Sequence, residues 1–371
     1  MTKIKRPGIL NLPGIGEVVL SSARPLLGIF LGLLAGALLI AISGVNPFVA
    51  YWAMVQGAFG SPQAFANVLV RASPLLLAGV GVAIGIKAGI WNIGAEGYMY
   101  AGAIGAAVVG IAPLSVHPFI HILLSVIAAM VFAAVWGLLP AFLRAYKGLN
   151  EVVTTIMMNY VAIAFTSWLV HPPVFMAEPD SFFPMSLMIK PSAKIPFLMK
   201  GTSLHPGFIF GIIACIICFL VIRYTPFGFR TRMLGVNPEA SRYAGLNEKR
   251  QIMLVMLIGA VMGGVAGAFE VLGLKTRLYM DFVSGVGYEA VAVALLSAGN
   301  PLGVIGSAFF FSALKAGGAT MSIVTGVGKP MTIVIEALCV LFVIALGYHK
   351  RKRLKREDKE IEDEEVQKGE Q

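Results

Sequence analysis

The sequence has little charge. Only 13% of its 371 residues are Asp, Glu, Lys or Arg, 57% are hydrophobic, and the mean hydropathy is +0.82. Soluble globular domains carry about 25% charged residues. The composition therefore excludes a chain dominated by a soluble domain, and it predicts a polytopic, all-α membrane protein.

Cysteine and histidine are also scarce. The three cysteines, Cys215, Cys218 and Cys339, lie in apolar windows, where we interpret them as small hydrophobic residues rather than redox centres. The five histidines form no convergent set, which argues against a membrane-embedded enzyme. His117 and His121 are four residues apart but have no third ligand nearby. We therefore expect no catalytic residue, no metal site and no cofactor in this chain.

The sequence also lacks a G-x-x-x-x-G-K-[ST] loop, the motif that holds nucleotide phosphates. If the chain takes part in ATP-driven transport, another subunit must hydrolyse the ATP. No nucleic-acid-binding motif accompanies the net charge of +10 either. The excess of basic residues is better explained by membrane topology, because positive residues near spans favour the cytoplasmic side.

Long apolar runs fill most of the chain. A membrane-spanning helix needs roughly 20 mostly apolar residues, and about ten such windows can be placed. With a cytoplasmic N-terminus, alternation puts both ends inside and most of the 29 lysines and arginines on the cytoplasmic side. The windows cover residues 25–44, 64–86, 90–112, 118–142, 151–170, 206–223, 251–273, 281–298, 301–317 and 330–348.

This pattern predicts a simple organisation along the chain. A cytoplasmic segment, 1–24, precedes a transmembrane domain over 25–348, and a charged cytoplasmic tail follows at 349–371. Two long connections interrupt the transmembrane domain. The Pro-rich segment 172–205 is expected outside, and the loop 224–250 is expected in the cytoplasm.

The stretch GIWNIGAEGYMY, residues 89–100, places a carboxylate inside an apolar run. Gly94 and Gly97 flank Glu96 and weaken helix continuity where Asn92 also adds polarity. Irregular backbone at membrane depth is tolerated only where it is buried in protein or lines a watery cavity. We therefore expect a helix break beside a cavity. Glu96 then either faces the cavity or bonds neighbouring backbone and holds the break open.

A comparable stretch, SGVGYEAVAVALLSAGNPLG, occupies residues 284–303. Here Gly285 and Gly287 precede Tyr288 and Glu289. Gly-interrupted apolar segments in corresponding positions of two halves point to the central site of a transporter. The two stretches together predict a pair of related breaks at one site.

Several other polar residues are expected at membrane depth. Glu151, Thr155, Asn159 and Thr166 share one face of the window 151–170, where they either bond other helices or line a pathway. An ionised side chain at the bilayer centre costs about 2.5–3.5 kcal/mol, so each asks for a compensating role. An interhelical pair or a place near the interface suffices for Lys315 and Glu336. The remaining ionisable candidates are Arg71 and Glu270.

The sequence GVNPEASRYAGLN, residues 235–247, predicts a short helix in the cytoplasmic loop. Asn is favoured as an N-cap, Pro at the first helical position and Gly just past the end. So short a helix is marginal alone, and we expect it to pack on the membrane surface or in a cytoplasmic partner. The residues expected to carry the contact are Gly235, Asn237, Pro238, Glu239, Arg242, Tyr243 and Gly245.

Four motifs together resemble a known family. They are NIGAEG at 92–97, GLNEVVTTIMMNY at 148–160, GVNPEASRYAGLN at 235–247 and GYEAVAVALLSAGNPLG at 287–303. The chain is similar, over roughly 25–348, to permease subunits of ABC importers in the ribose and branched-chain amino acid group. The resemblance is strongest to the nucleoside and simple-sugar branch, whose binding proteins are basic membrane lipoproteins.

This resemblance implies a multi-pass subunit of a bacterial plasma membrane importer. Its implied partners are a second permease, which makes a heterodimer, a cytoplasmic ABC ATPase that uses the ATP, and an extracytoplasmic substrate-binding lipoprotein. Residues 235–247 would be the coupling helix seated in the ATPase, and 172–205 would face the binding protein. The chain itself would perform no covalent chemistry.

Nucleosides are the substrate class that the resemblance favours. The residues expected near their pathway are Trp91, Asn92, Glu96, Thr155, Asn159, Tyr288 and Glu289. A permease for simple sugars such as ribose or for branched-chain amino acids would share every motif. A proton-coupled secondary transporter would instead use Glu96 and Glu289 as proton carriers and would work without an ATPase.

Overall fold

The computed structural model describes residues 15–179, 181–328 and 330–346, with side chains from residue 26 onwards. The predicted tail 349–371 lies outside these residues, as do the first 14 residues of the predicted segment 1–24. Within the described ranges, helices dominate and two isolated β-bridges occur.

Thirteen α-helices follow one another in the described residues. They are α1 Ile15–Ile42, α2 Pro47–Phe59, α3 Pro62–Lys87, α4 Ala95–Ile111, α5 Pro118–Lys147, α6 Glu151–Leu169, α7 Gly207–Tyr224, α8 Pro226–Val236, α9 Pro238–Tyr243, α10 Glu248–Phe269, α11 Val286–Leu296, α12 Pro301–Thr325 and α13 Pro330–Leu346. A 3₁₀ turn forms at Pro191–Ala193, and a π-helix, Glu270–Lys275, continues α10.

The prediction of an all-α polytopic membrane protein is confirmed, but about ten full spans are not. Within the described residues, six helices are long and apolar enough to cross a membrane: α3, α5, α6, α7, α12, and α10 with its π-helix. A seventh results if Leu26–Ile42 and Pro47–Phe59 count as one broken span. The helices α4, α11 and α13 are apolar but shorter.

The glycine breaks explain most of this difference. Hydropathy windows average over 90–112 and 281–298, although part of each stretch is not helical. The helix in the first window has 17 residues and that in the second has 11. At 1.5 Å per residue, 11 residues cover roughly 16 Å, about half of a hydrocarbon core. Two of the three shorter helices, α4 and α11, therefore begin at the predicted breaks.

The chain divides into two compact units. Among the described residues, one comprises 15–47 and 327–346, and the other comprises Phe48–Gly326. In the first unit, α1 and α13 approach closely at a glycine, since a Cβ on Gly32 would lie 2.5 Å from Cys339 Cα. Cys339 Sγ lies 3.7 Å from the carbonyl oxygen of Ile29. The cysteine is buried and packs as a small residue, as expected.

The second unit is built around α3. The most apolar window of this helix is 89% buried, and α7, α10, α11 and α12 pack on it. Beside them, α4, α5 and α10 form a tight group. A Cβ on Gly267 would lie 2.0 Å from the carbonyl oxygen of Met99, and one on Gly102 would lie 2.3 Å from Gly264 Cα. Small residues thus let these backbones touch, as helices packed in lipid require.

Candidate functional site

The first predicted break runs beside α6. Gly89, with φ +72°, turns the chain after α3, and residues 90–94 are not helical before α4 begins. Three backbone N–H groups of this stretch and of α4's first turn donate to side chains spaced one turn apart on α6, so the chain follows that helix for about 12 Å. The pairs are Trp91 N with Glu151 Oε1 at 3.1 Å, Ile93 N with Thr155 Oγ1 at 3.2 Å and Gly97 N with Asn159 Oδ1 at 2.9 Å.

Other polar groups complete this arrangement. Asn92 Oδ1 accepts bonds from Gly94 N at 3.0 Å and from the hydroxyl of Tyr98 at 3.1 Å. Asn159 Nδ2 donates to the carbonyl oxygen of Ile93 at 2.8 Å, and Arg144 Nε lies 3.2 Å from Glu151 Oε2. The polar stripe of α6 thus holds an irregular segment in place.

Glu96 joins the two predicted breaks. The side chain is 1% exposed. Its Oε1 accepts a bond from Gly285 N at 2.9 Å, and its Oε2 accepts one from Gly287 N at 2.7 Å. Both amides belong to the start of α11, where N–H groups have no partner within the helix and the helix dipole favours negative charge. The carboxylate therefore caps α11, which corresponds to the second alternative left open by the sequence.

The backbone before α11 is held in an uncommon conformation. Asp281 has φ +56°, Ser284 has φ +53° and Gly285 has φ +85°. Non-glycine residues in this region cost of order 1–3 kcal/mol each and persist only where the surroundings fix them. Tyr100 fixes part of the turn, because its ring packs edge-on against Phe282 at 5.0 Å. The second break is thus a defined turn.

The seven predicted pathway residues differ in exposure. Asn92, Glu96, Thr155 and Asn159 are buried and serve the hydrogen bonds described above. Trp91 is 51% exposed and Tyr288 is 37% exposed, and the Tyr288 hydroxyl accepts a bond from Asn159 Nδ2 at 3.3 Å. Glu289 is partly exposed and forms an ion pair with Lys315.

A cavity of about 350 Å³ lies where α3, α11, α12 and the π-helix converge. Of the seven predicted residues, Glu289 lines it. Ser203, in the segment 172–205, also lines it, so the cavity lies on the side of that segment. The other charged or buried polar residues of its wall are Arg71, Glu270, Lys275, Ser312 and Lys315.

The sequence identified part of this wall. Lys315 was expected in an ion pair or near the interface, and it pairs with Glu289. Arg71 and Glu270 were recognised only as ionisable residues at membrane depth, without a place in the site. Lys275, which lies 3.3 Å from Glu270 Oε2 through its Nζ, and Ser312 were missed. Neither carries a local sequence signal that would have placed it there.

The two histidines that lie four residues apart make separate contacts. His121 uses both ring nitrogens on other groups, Ser192 Oγ at 2.8 Å and the carbonyl oxygen of Val109 at 2.9 Å. His117 instead caps α5, where its Nδ1 accepts a bond from Phe119 N at 3.3 Å. Across the described residues, no group of three or more His, Cys, Asp or Glu could hold a metal ion.

The loop helix α9 follows α8 and precedes α10 along the chain, and it packs on both. Asn237 caps it as predicted, with Oδ1 accepting a bond from Ala240 N at 3.1 Å. Gly245, with φ +78°, follows its end. Arg242 pairs with Glu248 at 2.7 Å, and this hydrogen bond raises the pKa of the guanidinium. Tyr243 is 94% exposed and forms the tip.

The base of this loop touches the first break. A Cβ on Gly235, in the last turn of α8, would lie 2.2 Å from the carbonyl oxygen of Lys87. Lys87 is the last residue of α3, and Gly89, two residues on, packs against the same glycine. The loop that carries α9 is therefore in direct backbone contact with the segment that leads to Glu96.

Comparison with known proteins gives one family. The family described as "Branched-chain amino acid transport system / permease component" matches residues 64–346. The guanosine ABC transporter permease protein NupP of Bacillus subtilis is 34% identical over 86% of this chain and 92% of its own length. The nucleoside ABC transporter permease protein NupB of Lactococcus lactis is 32% identical over 87% and 90%. The glucose ABC transporter permease protein TsgB13 of Haloferax volcanii is 31% identical over 90% and 90%.

Proposed function

Since this chain belongs to the family of permease components of branched-chain amino acid transport systems, we propose that it forms the membrane pathway for nucleosides in an ABC importer. As a member of this family it is a multi-pass transport subunit without an ATPase site of its own, and it works with an ATPase and a substrate-binding protein. The observation that carries the substrate class is its similarity, over about nine tenths of their length, to permeases named for guanosine and for nucleosides.

The cavity supports a substrate of this kind. Pockets for small molecules measure roughly 300–1,000 Å³, and about 350 Å³ is available here. Its wall offers carboxylates as acceptors for sugar hydroxyls and cations as donors for base carbonyls. Of the predicted residues, Glu289 would meet a substrate in this cavity, and the exposed Trp91 and Tyr288 would meet it elsewhere along the pathway. The buried Asn92, Glu96, Thr155 and Asn159 would support the pathway from behind.

We also propose a second permease, a lipoprotein as the binding protein and a cytoplasmic location of both termini. Two different permease proteins of Bacillus subtilis, both named for guanosine, resemble this chain, which supports a heterodimer with a second permease. The binding protein would be a lipoprotein facing 172–205. Both termini would lie in the cytoplasm of a bacterial cell, on the side of the basic residues. The chain would bind no cofactor.

We infer that α9 docks in the ATPase and that movements of the ATPase reach the transport pathway through the contact between Gly235 and Lys87. Movement of α8 would press on the backbone at Lys87 through Gly235 and so reach the first break. Glu96 would carry it on to α11, whose Glu289 lines the cavity. Each step in this sequence is a backbone contact or a buried hydrogen bond. A displacement of α8 would therefore also displace α11.

Uptake by the complete importer tests the proposed substrate. The chain, its second permease, the ATPase and the binding protein are reconstituted in liposomes, and ATP-dependent uptake of labelled inosine is measured. Unlabelled uridine and guanosine should compete, whereas ribose, glucose and leucine should not. Competition by leucine or glucose alone would assign the chain to another substrate class. Inosine uptake driven by a proton gradient without the ATPase would make it a secondary transporter.

Replacing Tyr243 by Ala should uncouple the ATPase. The side chain is almost fully exposed, so its removal costs the fold at most about 0.5 kcal/mol. An aromatic anchor at a protein interface is often worth 2 kcal/mol or more, so we expect about 30-fold weaker retention of the ATPase. The measurement is co-purification with the ATPase, together with ATP-dependent uptake.

Phe182→Ala is the matched control for this variant. Phe182 is an equally exposed aromatic residue, 93% accessible, in the opposite segment 172–205. The Phe182→Ala importer should retain its ATPase fully. Equal retention by the Tyr243→Ala importer would show instead that α9 rests on the membrane surface.

A further inference from the structure

The cavity wall carries one cation more than its carboxylates neutralise. Arg71, Lys275 and Lys315 line it together with Glu270 and Glu289. Lys275 pairs with Glu270 and Lys315 pairs with Glu289. No hydrogen bond or ion pair joins Arg71 to another residue of the described ranges. As far as the described residues go, the guanidinium is therefore available to a ligand.

A second group in the wall also lacks a partner. Ser312 is 0% exposed, and among the described residues its Oγ has no hydrogen-bond partner. A buried polar group left unpaired destabilises the fold, so it favours any ligand that pairs with it. Because Ser312 lines the same cavity as Arg71, a ligand that reaches both would satisfy both.

Arg71 lies at a position shared by two cavities, which suits a residue that selects between substrates. Arg71 and Asn67 are one helical turn apart on α3, and both line a second, adjoining cavity of about 450 Å³ as well. These two side chains therefore lie where the two cavities adjoin. The opposing carboxylates remain able to accept bonds, since an ionised carboxyl has about four lone-pair sites and each is paired to a single lysine here.

We propose that Arg71 selects purine nucleosides with an oxygen at position 6, such as inosine and guanosine, over adenosine. This inference rests on the proposed nucleoside transport. The guanidinium presents two N–H donors in a planar fork, and O6 and N7 of a 6-oxopurine are two acceptors at matching spacing. Adenine offers the acceptor N7 beside an amino donor, so one arm of the fork loses its partner and meets another donor. Glu289 and Ser312 would hold the sugar hydroxyls.

The test compares inosine with adenosine, because both carry the same ribose and differ in the group at position 6. Equilibrium binding of each labelled nucleoside is measured on the purified importer complex without the binding protein, followed by uptake with it. One bidentate contact discriminates between bases by about 5- to 160-fold, so wild type should favour inosine by a factor in that range. Arg71→Gln should reverse the preference, because a Gln amide pairs with N6 and N7 of adenine. Arg71→Lys should retain only part of it.

Each outcome bears on one proposal. If the wild-type importer neither binds nor transports any nucleoside, the proposed function fails. If it transports nucleosides but the inosine-to-adenosine ratio is the same in wild type and Arg71→Gln, the role of Arg71 is wrong. Should Arg71→Gln not assemble, the ratio in Arg71→Lys decides, and an unchanged ratio overturns the inference. An equal loss of both nucleosides would make Arg71 a general binding group and also overturn it.

Discussion

Replacement of Glu96 by Gln should lower ATP-dependent uptake about tenfold or more and reduce the thermal stability of the importer. The carboxylate accepts one N–H on each oxygen, from Gly285 and Gly287. A Gln amide has one acceptor oxygen, so its NH₂ group would face the other backbone N–H. A buried donor left unpaired costs about 1–3 kcal/mol, and the favourable charge at the start of α11 is lost as well. The two breaks would then separate, although the side chain has nearly the same size.

Glu289→Gln is the control for Glu96→Gln. Glu289 is partly exposed and pairs with a side chain, Lys315, and the amide oxygen of a Gln at this position can still accept a hydrogen bond from the lysine. We therefore expect little change in the unfolding temperature for Glu289→Gln. Unchanged uptake and an unchanged unfolding temperature for Glu96→Gln would show that the carboxylate is not needed to join the breaks.

The relative uptake of different nucleosides distinguishes a residue that supports the pathway from one that contacts the substrate. Glu96 is buried and is not among the residues that line the cavity. Glu96→Gln should therefore slow all nucleosides by the same factor, whereas Arg71→Gln should change their ratio. A proton carrier at Glu96 would show a third pattern, since its replacement would remove the dependence of uptake on a proton gradient.

The existence of the breaks could be predicted from the sequence because the cost of polarity in lipid is local. A carboxylate and an amide between glycines, as at Asn92 and Glu96, are too costly for a plain apolar helix. The stripe on α6 was visible for the same reason, because period and polarity coincide there. The cap of α9 is also local, since Asn237 bonds an amide only three residues away.

The partners of these groups could not be predicted in the same way. Glu96 and Gly285 are 189 positions apart. No pattern within either stretch indicates that the two residues are in contact. The cavity wall combines residues of α3, α11, α12 and the π-helix, so it exists only after these helices pack. The predicted number of about ten full spans is not confirmed, for a different reason. Hydropathy reports how apolar a window is, whereas the length of a helix depends on where its backbone breaks.

Replacement of Gly287 by Ala should have an even larger effect than Glu96→Gln. A Cβ at this position would lie 2.2 Å from Glu96 N, 2.3 Å from Glu96 Cα and 2.7 Å from the carbonyl carbon of Ala95. These are backbone atoms, so no side chain can rotate away. The first turns of α4 and α11 must move apart, which stretches both bonds that Glu96 accepts. Overpacking costs about 1–3 kcal/mol, and the weakened buried bonds add about 1–3 kcal/mol. We expect uptake to be abolished and the unfolding temperature to fall by more than in Glu96→Gln.

Gly306→Ala separates this close contact from the general effect of adding a methyl group to a helix. Gly306 lies in α12, and a Cβ there would meet no heavy atom within 4 Å. Ala is favoured over Gly in a helix by about 0.8–1.0 kcal/mol, so this variant should be as stable as wild type or more so. Thermal unfolding of the purified importer and uptake in liposomes are measured for both variants. Wild-type behaviour of Gly287→Ala would mean that the starts of α4 and α11 do not touch, and the proposed transmission from α9 to the cavity would lose its central link.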